Sequence, residues 1–180
     1  MKKVLLDLQK RKNYQRKENR DMDILEVFKH DTRIWGIGFV KEEYKLIFDI
    51  DLILDYRLKE GCYKYTLCPS TVVLNNINNQ TIDVDADDGL VINGTTINTV
   101  LTPKNIEFLP RGTKEIDIEI ELMEGTISFR TIGGSLYIRN TYKLCNNTEL
   151  TYNTRGGIVL VEDGEETMSC SITRWLNNDG

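Results

Sequence analysis

The chain has 180 residues with 40% hydrophobic and 28% charged side chains, proportions that fit one globular domain and exclude intrinsic disorder. No run reaches the roughly 18 to 20 consecutive apolar residues that a membrane-spanning helix needs. The net charge of −5 is unevenly spread: eight basic against two acidic residues leave +6 in positions 1–20, so the remaining 160 positions sum to −11.

The N-terminus opens as a secretory leader would, with Lys2 and Lys3 before Val4, Leu5 and Leu6. Asp7, Gln9 and Lys10 then interrupt the apolar run, and no small-residue cleavage site follows. Secretion is therefore not expected, and the chain reads as cytoplasmic. Residues 1–21 read as a basic extension, disordered or helical, ahead of a single β-rich domain over 22–180. A nucleic-acid or anionic-membrane arm is one meaning of such a segment, and a solvated tail is the commoner one. Met22-Asp23-Ile24-Leu25 also looks like a natural beginning, which would make the first 21 residues an extension upstream of it.

From there the pattern becomes structured. Asp21 or Asp23 can cap a short helix whose Ile24, Leu25 and Phe28 form one apolar stripe. Period-2 alternation follows. Arg33–Val40 and Tyr44–Leu54 flank Lys41-Glu42-Glu43 and predict a hairpin. In its second strand Leu46, Phe48, Ile50, Leu52 and Leu54 point one way; Lys45, Ile47, Asp49, Asp51, Ile53 and Asp55 point the other, which is expected to be solvent. Gly36 and Gly38 within the first strand mark a bulge or a close backbone approach.

Further strands are expected at Tyr63–Leu67, Thr71–Leu74, Thr81–Val84 and Leu90–Ile92, with turn chemistry in Asn75–Gln80 and Asp87-Asp88-Gly89. Residues 114–139 alternate most clearly: Ile116, Ile118, Ile120 and Leu122 interleave with Glu115, Asp117, Glu119 and Glu121. Glu124-Gly125 then turns into Thr126–Ile132, and Gly133-Gly134 separates that strand from Ser135–Arg139. Leu150–Tyr152, Ile158–Val161 and Met168–Trp175 complete the series, with breaks at Gly156-Gly157 and Asp163-Gly164. One convincing helix leaves no room for a doubly wound α/β sheet. The expected fold is mainly β, an antiparallel two-layer sandwich or curled sheet with one short N-terminal helix.

Chemistry-bearing patterns are few. Cys62, Cys68, Cys145 and Cys170 form no C-x-x-C pair, and with a single histidine they make no usual zinc site; reduced, packing thiols are expected. The sequons at Asn79, Asn93 and Asn146 follow from Asn/Thr-rich composition. Asp83-Val84-Asp85-Ala86-Asp87-Asp88-Gly89 resembles the opening of a calcium loop, but Asp88 stands where that loop needs glycine and Gly94 where it needs glutamate. No metal and no cofactor is expected. Serine-nucleophile and phosphate-loop motifs are absent. His30-Asp31 can do acid–base work, although a histidine ending a helix and bonded to backbone is the commoner case. Arg155-Gly156-Gly157 can bind an anion through its arginine and exposed amides, although a strand-ending turn is more usual.

His30-Asp31-Thr32-Arg33-Ile34-Trp35-Gly36-Ile37, then Phe48-Asp49-Ile50-Asp51-Leu52-Ile53-Leu54, then Pro69-Ser70-Thr71-Val72 resemble the "HDsxI.G", "FDIDYIL" and "P-[AS]-T-hydrophobic" segments of a family of small uncharacterised bacterial cytosolic proteins. Gly125–Phe129 and Leu150–Gly157 also look similar. The resemblance implies no enzyme activity. In size and acidic character the chain is similar to immunity proteins of bacterial toxin systems.

Two functions compete. The first is a non-enzymatic protein-binding module, an immunity-like neutraliser of a basic toxin, that presents an acidic β face to its partner. The second is a small-molecule or carbohydrate-directed enzyme or binder on a β-sandwich, built from His30, Asp31, Asp49, Asp51 and Arg155. Nucleic acid is expected as a partner only of the N-terminal segment, and no membrane is expected.

Overall fold

The computed structural model describes residues 22–85, 90–139, 143–146, 150–160 and 169–171. The basic N-terminal segment, the Asp87-Asp88-Gly89 turn, the Asp163-Gly164 turn and most of the expected Met168–Trp175 strand lie outside the described residues.

Among the described residues a one-turn helix, α1 (Ile24–Val27), leads into ten strands. These are β1 (Arg33–Val40), β2 (Lys45–Lys59), β3 (Cys62–Leu74), β4 (Asn78–Val84), β5 (Leu90–Leu101), β6 (Glu115–Leu122), β7 (Gly125–Thr131), β8 (Gly134–Ile138), β9 (Lys143–Cys145) and β10 (Ser169–Ser171). A second short helix, α2 (Tyr152–Arg155), lies between β9 and β10. The fold is mainly β, with one antiparallel sheet curled on itself.

Strand order explains the curl. The sheet runs β10-β8-β3-β2-β1-β5-β6-β7-β4, with β9 paired to β3 outside that path. Five strands lie between β3 and β4 in this order, yet only Asn75–Ile77 joins them. Three residues span about 10 Å at most, so the sheet must bend round to bring its parts together. Asn75 N donates to Gly133 O at 2.9 Å and Ile132 N to Asn75 O at 3.3 Å. These bonds join the β3–β8 ladder to the β4–β7 ladder across the bend.

Alternation supplies the core. Leu46, Phe48, Ile50 and Leu52 from β2 meet Ile116, Ile118, Ile120 and Leu122 from β6, with Ile127 and Phe129 from β7 and Leu136 and Ile138 from β8, in one buried cluster. The Phe48 ring centroid lies 5.1 Å from Phe28 and 5.9 Å from Phe129, distances typical of favourable aromatic pairs. Four residues are too few for a self-supporting helix. α1 persists because Ile24, Val27 and the following Phe28 are buried in that cluster. Asp23 also caps it, accepting from Leu25 N at 2.9 Å.

Several elements depart from the sequence expectation. Tyr63–Leu67 and Thr71–Leu74 are parts of the single strand β3, which runs through Pro69 with Pro69 opposite Asp51. β5 continues nine residues past Ile92, because its bulges at Gly94 and between Ile97 and Thr99 hide the alternation. Tyr152 belongs to helix α2 and not to a strand, capped by the Thr151 side chain and closed by Gly156 at φ 81°. Residues Ile158–Leu160 are not in a strand.

Gly134 opens β8 directly opposite Leu74, beside the Asn75–Gly133 bond. A Cβ there would lie 1.9 Å from Val73 O and 2.8 Å from Leu74 Cα, both backbone atoms, whereas at Gly94 the nearest atom would be Glu121 Oε2 at 3.8 Å. Gly134→Ala should therefore destabilise the protein by about 2 kcal/mol or more through backbone displacement, and Gly94→Ala should change little. Urea denaturation of both variants checks the contrast.

Candidate functional site: a buried carboxylate–guanidinium cluster

The outward face of β2 does not meet solvent between Ile47 and Ile53. Both Asp49 and Asp51 are fully buried, at 0% exposure. The expectation that these two aspartates point to water is therefore incorrect. Residues 150–160 cross the outside of β1, β2 and β3 as a strap and cover them.

The strap is fastened at several points. Leu150 packs with Ile53 and Leu67 in a second small apolar cluster. Thr71 Oγ1 donates to Val159 O at 3.1 Å. At Gly36 a Cβ would lie 2.9 Å from Ile158 Cγ2, and at Gly38 it would lie 3.7 Å from Leu160 Cδ1. The two glycines of β1 thus permit the close approach expected of them. The expected bulge is present too, between Ile34 and Gly36, and it carries Trp35, whose indole reaches Asp51.

The centre of the strap is electrostatic. Asp49 and Asp51 are two residues apart on one strand face, about 7 Å along the strand, a span that one guanidinium can bridge. Arg155 Nη1 donates to Asp49 Oδ2 at 2.8 Å, Nη2 to Asp49 Oδ1 at 2.7 Å and Nε to Asp51 Oδ1 at 3.1 Å. It also donates to the carbonyls of Gly157 and Ile50. All five guanidinium N–H groups are thereby used.

The carboxylates are equally occupied. Asp49 also accepts from Arg139 Nη2 at 2.6 Å and from Val159 N at 2.7 Å. Asp51 accepts from Trp35 Nε1 at 2.7 Å and from Leu150 N at 3.0 Å. The Trp35 ring carries Arg155 on it at 4.8 Å and Arg33 at the same distance, a cation–π arrangement. Two buried carboxylates are thus balanced by two guanidiniums.

Burial alone disfavours the charge on Arg155, but the hydrogen bonds and charges of Asp49 and Asp51 outweigh it and raise its pKa above the ordinary value. Arg139 goes the other way: burial and the like charge of Arg155 lower it despite Asp49. Beside this cluster, burial pushes the Cys68 thiol up to about 12, and its Sγ donates to Arg139 O at 2.9 Å. Cys68 is buried and Cys62 exposed, and both are free thiols.

These facts decide what the cluster can do. Ionised groups removed from water cost several kcal/mol each unless they are paired and hydrogen-bonded. Asp49, Asp51 and Arg155 are both, whereas Arg139 is paired through Nη2 alone and its buried Nε and Nη1 have no hydrogen-bond partner among the described residues. No donor of Arg155 is left for a substrate, and neither aspartate has an exposed oxygen. Arg155 does bind an anion, as its Arg-Gly-Gly setting allows, but the anion belongs to its own chain. The cluster is a structural clasp.

His30 and Asp31 take no part in it. His30 Nδ1 lies 2.9 Å from Asp31 Oδ1, with side chains 65% and 40% exposed, so the histidine meets its neighbour's carboxylate and not the expected backbone group. Asp31 N bonds Ile92 O on β5 at 2.9 Å, with the residue held at φ 69°. The five candidate residues therefore divide into a buried three and an exposed two. Among the described residues no group of three or more His, Cys, Asp or Glu side chains can hold a metal ion. Asp83 is an exposed residue of β4 rather than the start of a described loop. No described helix is long and apolar enough to cross a membrane.

Trp35 and Arg139 were not legible as partners of the aspartates. The signal for the burial itself was present: Ile47 and Ile53 flank Asp49 and Asp51 on one face, and a face ending in isoleucine at both ends is a covered one. The segments around Trp35, Asp49 to Asp51, Thr71 and Leu150 to Val159 meet at this clasp. No family model, curated protein or solved structure matches the chain.

Removing one member leaves a buried charge uncompensated. Arg155→Met should cost about 3–5 kcal/mol, and a double-mutant cycle with Asp49→Asn should show strong coupling by urea denaturation. Cys68 titrates separately. Its folded pKa stands above the unfolded value of 9.0, so the stability it contributes is complete below pH 9 and falls as pH rises from there toward about 12. Alkylation followed by mass mapping should label Cys62 in the native protein while Cys68 resists until unfolding.

Proposed function

We propose that the chain is a non-enzymatic protein-binding module of the bacterial cytoplasm, an immunity-like neutraliser that meets a basic partner with the outer face of β5, β6, β7 and β4. The observation that supports this reading is the contrast between the two halves of the sheet. The outer face of β1 to β3 is covered by the strap, while the other half presents carboxylates to water.

Register defines that face. One row across the strands reads Asp83, Thr126, Glu121, Gly94; the next reads Thr81, Ser128, Glu119, Thr96; the third reads Asn78, Arg130, Asp117, Thr99. Asp83, Glu119 and Glu121 are exposed. Their neighbours are small and hydroxylated, so the carboxylates stand above a flat surface. Arg130 is the cation of these rows, and it lies 3.8 Å from Asp117. Strands are about 4.8 Å apart, so the acidic groups fall within roughly one Debye length, about 8 Å at physiological salt, and their fields add. Such a surface accelerates encounter with a basic protein and repels nucleic acid. The full clasp at Asp49, Asp51 and Arg155 leaves the enzyme reading without an open acid, base or anion site among those three residues.

Affinity capture from the native host should recover a basic protein. Its association rate should fall about ten-fold or more with rising salt, or on the double substitution Glu119→Lys and Glu121→Lys, with the variant's folding stability nearly unchanged. A complex indifferent to both salt and charge reversal would count against the proposal.

A further inference from the structure

β2 outruns its neighbour. β1 pairs with it only as far as Arg33 opposite Asp51, whereas β2 continues to Lys59, held from the other side by β3. Among the described residues nothing pairs with the β1-side edge of β2 beyond Asp51. An edge of this kind is a template for another strand.

The side chains along it are specific. A bulge between Ile53 and Asp55 resets the register, after which Tyr56 lies opposite Tyr65 and Leu58 opposite Tyr63. One face of the projecting hairpin is therefore apolar, with Tyr56 60%, Leu58 65% and Tyr63 52% exposed. The Tyr56 and Tyr63 rings are 6.1 Å apart. The other face carries Asp55 and Arg57, whose Oδ2 and Nε are 2.8 Å apart.

We propose that the open edge of β2 from Leu54 to Leu58 pairs antiparallel with the same edge of a second copy of this chain, with Tyr56 on the two-fold axis. A two-fold contact requires that residue i meet j while j meets i. With Tyr56 at the centre, Asp55 faces Arg57 of the second copy and Arg57 faces Asp55, both favourable cross-strand pairs. On the opposite face Tyr56 meets Tyr56, with Leu58 extending the apolar strip beyond it. Moving the axis to Arg57 sets that arginine against itself. A one-residue slip puts charges opposite the tyrosine face. The edge is thus complementary to itself in one register. The result is a four-stranded ribbon, β3-β2-β2-β3, built from residues separate from the acidic face.

Sedimentation velocity of the full chain, from micromolar to millimolar concentration, should show a monomer–dimer equilibrium. Asp55→Arg and Arg57→Asp each place like charges opposite one another twice and should weaken the dimer about ten-fold or more. An equimolar mixture of these two variants should recover it, since an edge with two arginines then meets an edge with two aspartates. Leu58→Lys, acting on the apolar face, should weaken the dimer independently. A wild-type chain that stays monomeric throughout overturns the proposal. So does a dimer that the charge variants form as well as wild type, or a mixture that fails to regain affinity.

Discussion

Two aspartates on the outward face of β2 set the constraint that the rest of this half of the molecule satisfies. Asp49 and Asp51 are fully buried, and ionised carboxylates away from water are tolerable only when opposite charge and hydrogen bonds replace the lost solvent. Arg155, Arg139, Trp35 and the amides of Leu150 and Val159 provide that replacement. Because three of these donors lie between residues 150 and 160, satisfying the aspartates and holding the strap in place are the same act. The glycines of β1 and the short helix α2 make sense only in that light: the former let the strap come close, and the latter turns Arg155 inward.

A curled sheet then has two unlike outer surfaces. Over β1, β2 and β3 the strap seals the sheet, so that β2 is buried on both faces and its apolar run is interrupted only by the two aspartates. Over β5, β6, β7 and β4 nothing among the described residues performs this service, and alternation leaves Asp83, Glu119 and Glu121 in water. Acidic residues that look alike in the sequence thereby acquire opposite roles. Asp49 and Asp51 on β2 organise the interior; Asp83 on β4 and Glu119 and Glu121 on β6 stand in water, while Glu115 at the start of β6 is itself buried and bonded to Asn78.

This is also where legibility from sequence ended. The core faces of β2 and β6, the hairpin around Lys41 to Glu43 and the cap at Asp23 followed from local pattern, because local pattern determines them. Whether the second face of a strand is covered depends on chain more than ninety positions away, and alternation carries no such information. Asp49, between Phe48 and Ile50, and Glu119, between Ile118 and Ile120, both sit among apolar neighbours at the same period. Only the isoleucines at 47 and 53 distinguish the first, and they do not name Arg155 as its partner. The sequence pattern shows only the first residues of β5 for a related reason: bulges shift the period while preserving the pairing. Tyr152 to Arg155 formed a helix because Thr151 and Gly156 cap it, a signal that the surrounding β pattern outweighed.

The most direct measurement is hydrogen exchange at the strap's own amides. In the wild-type protein the N–H groups of Leu150 and Val159, bonded to Asp51 and Asp49, should exchange slowly. In Arg155→Met they should exchange much faster, while the amides of β6 and β7 keep their protection. Unchanged protection at Leu150 and Val159 in that variant would contradict the claim that the buried ion cluster is what fastens this segment to the sheet.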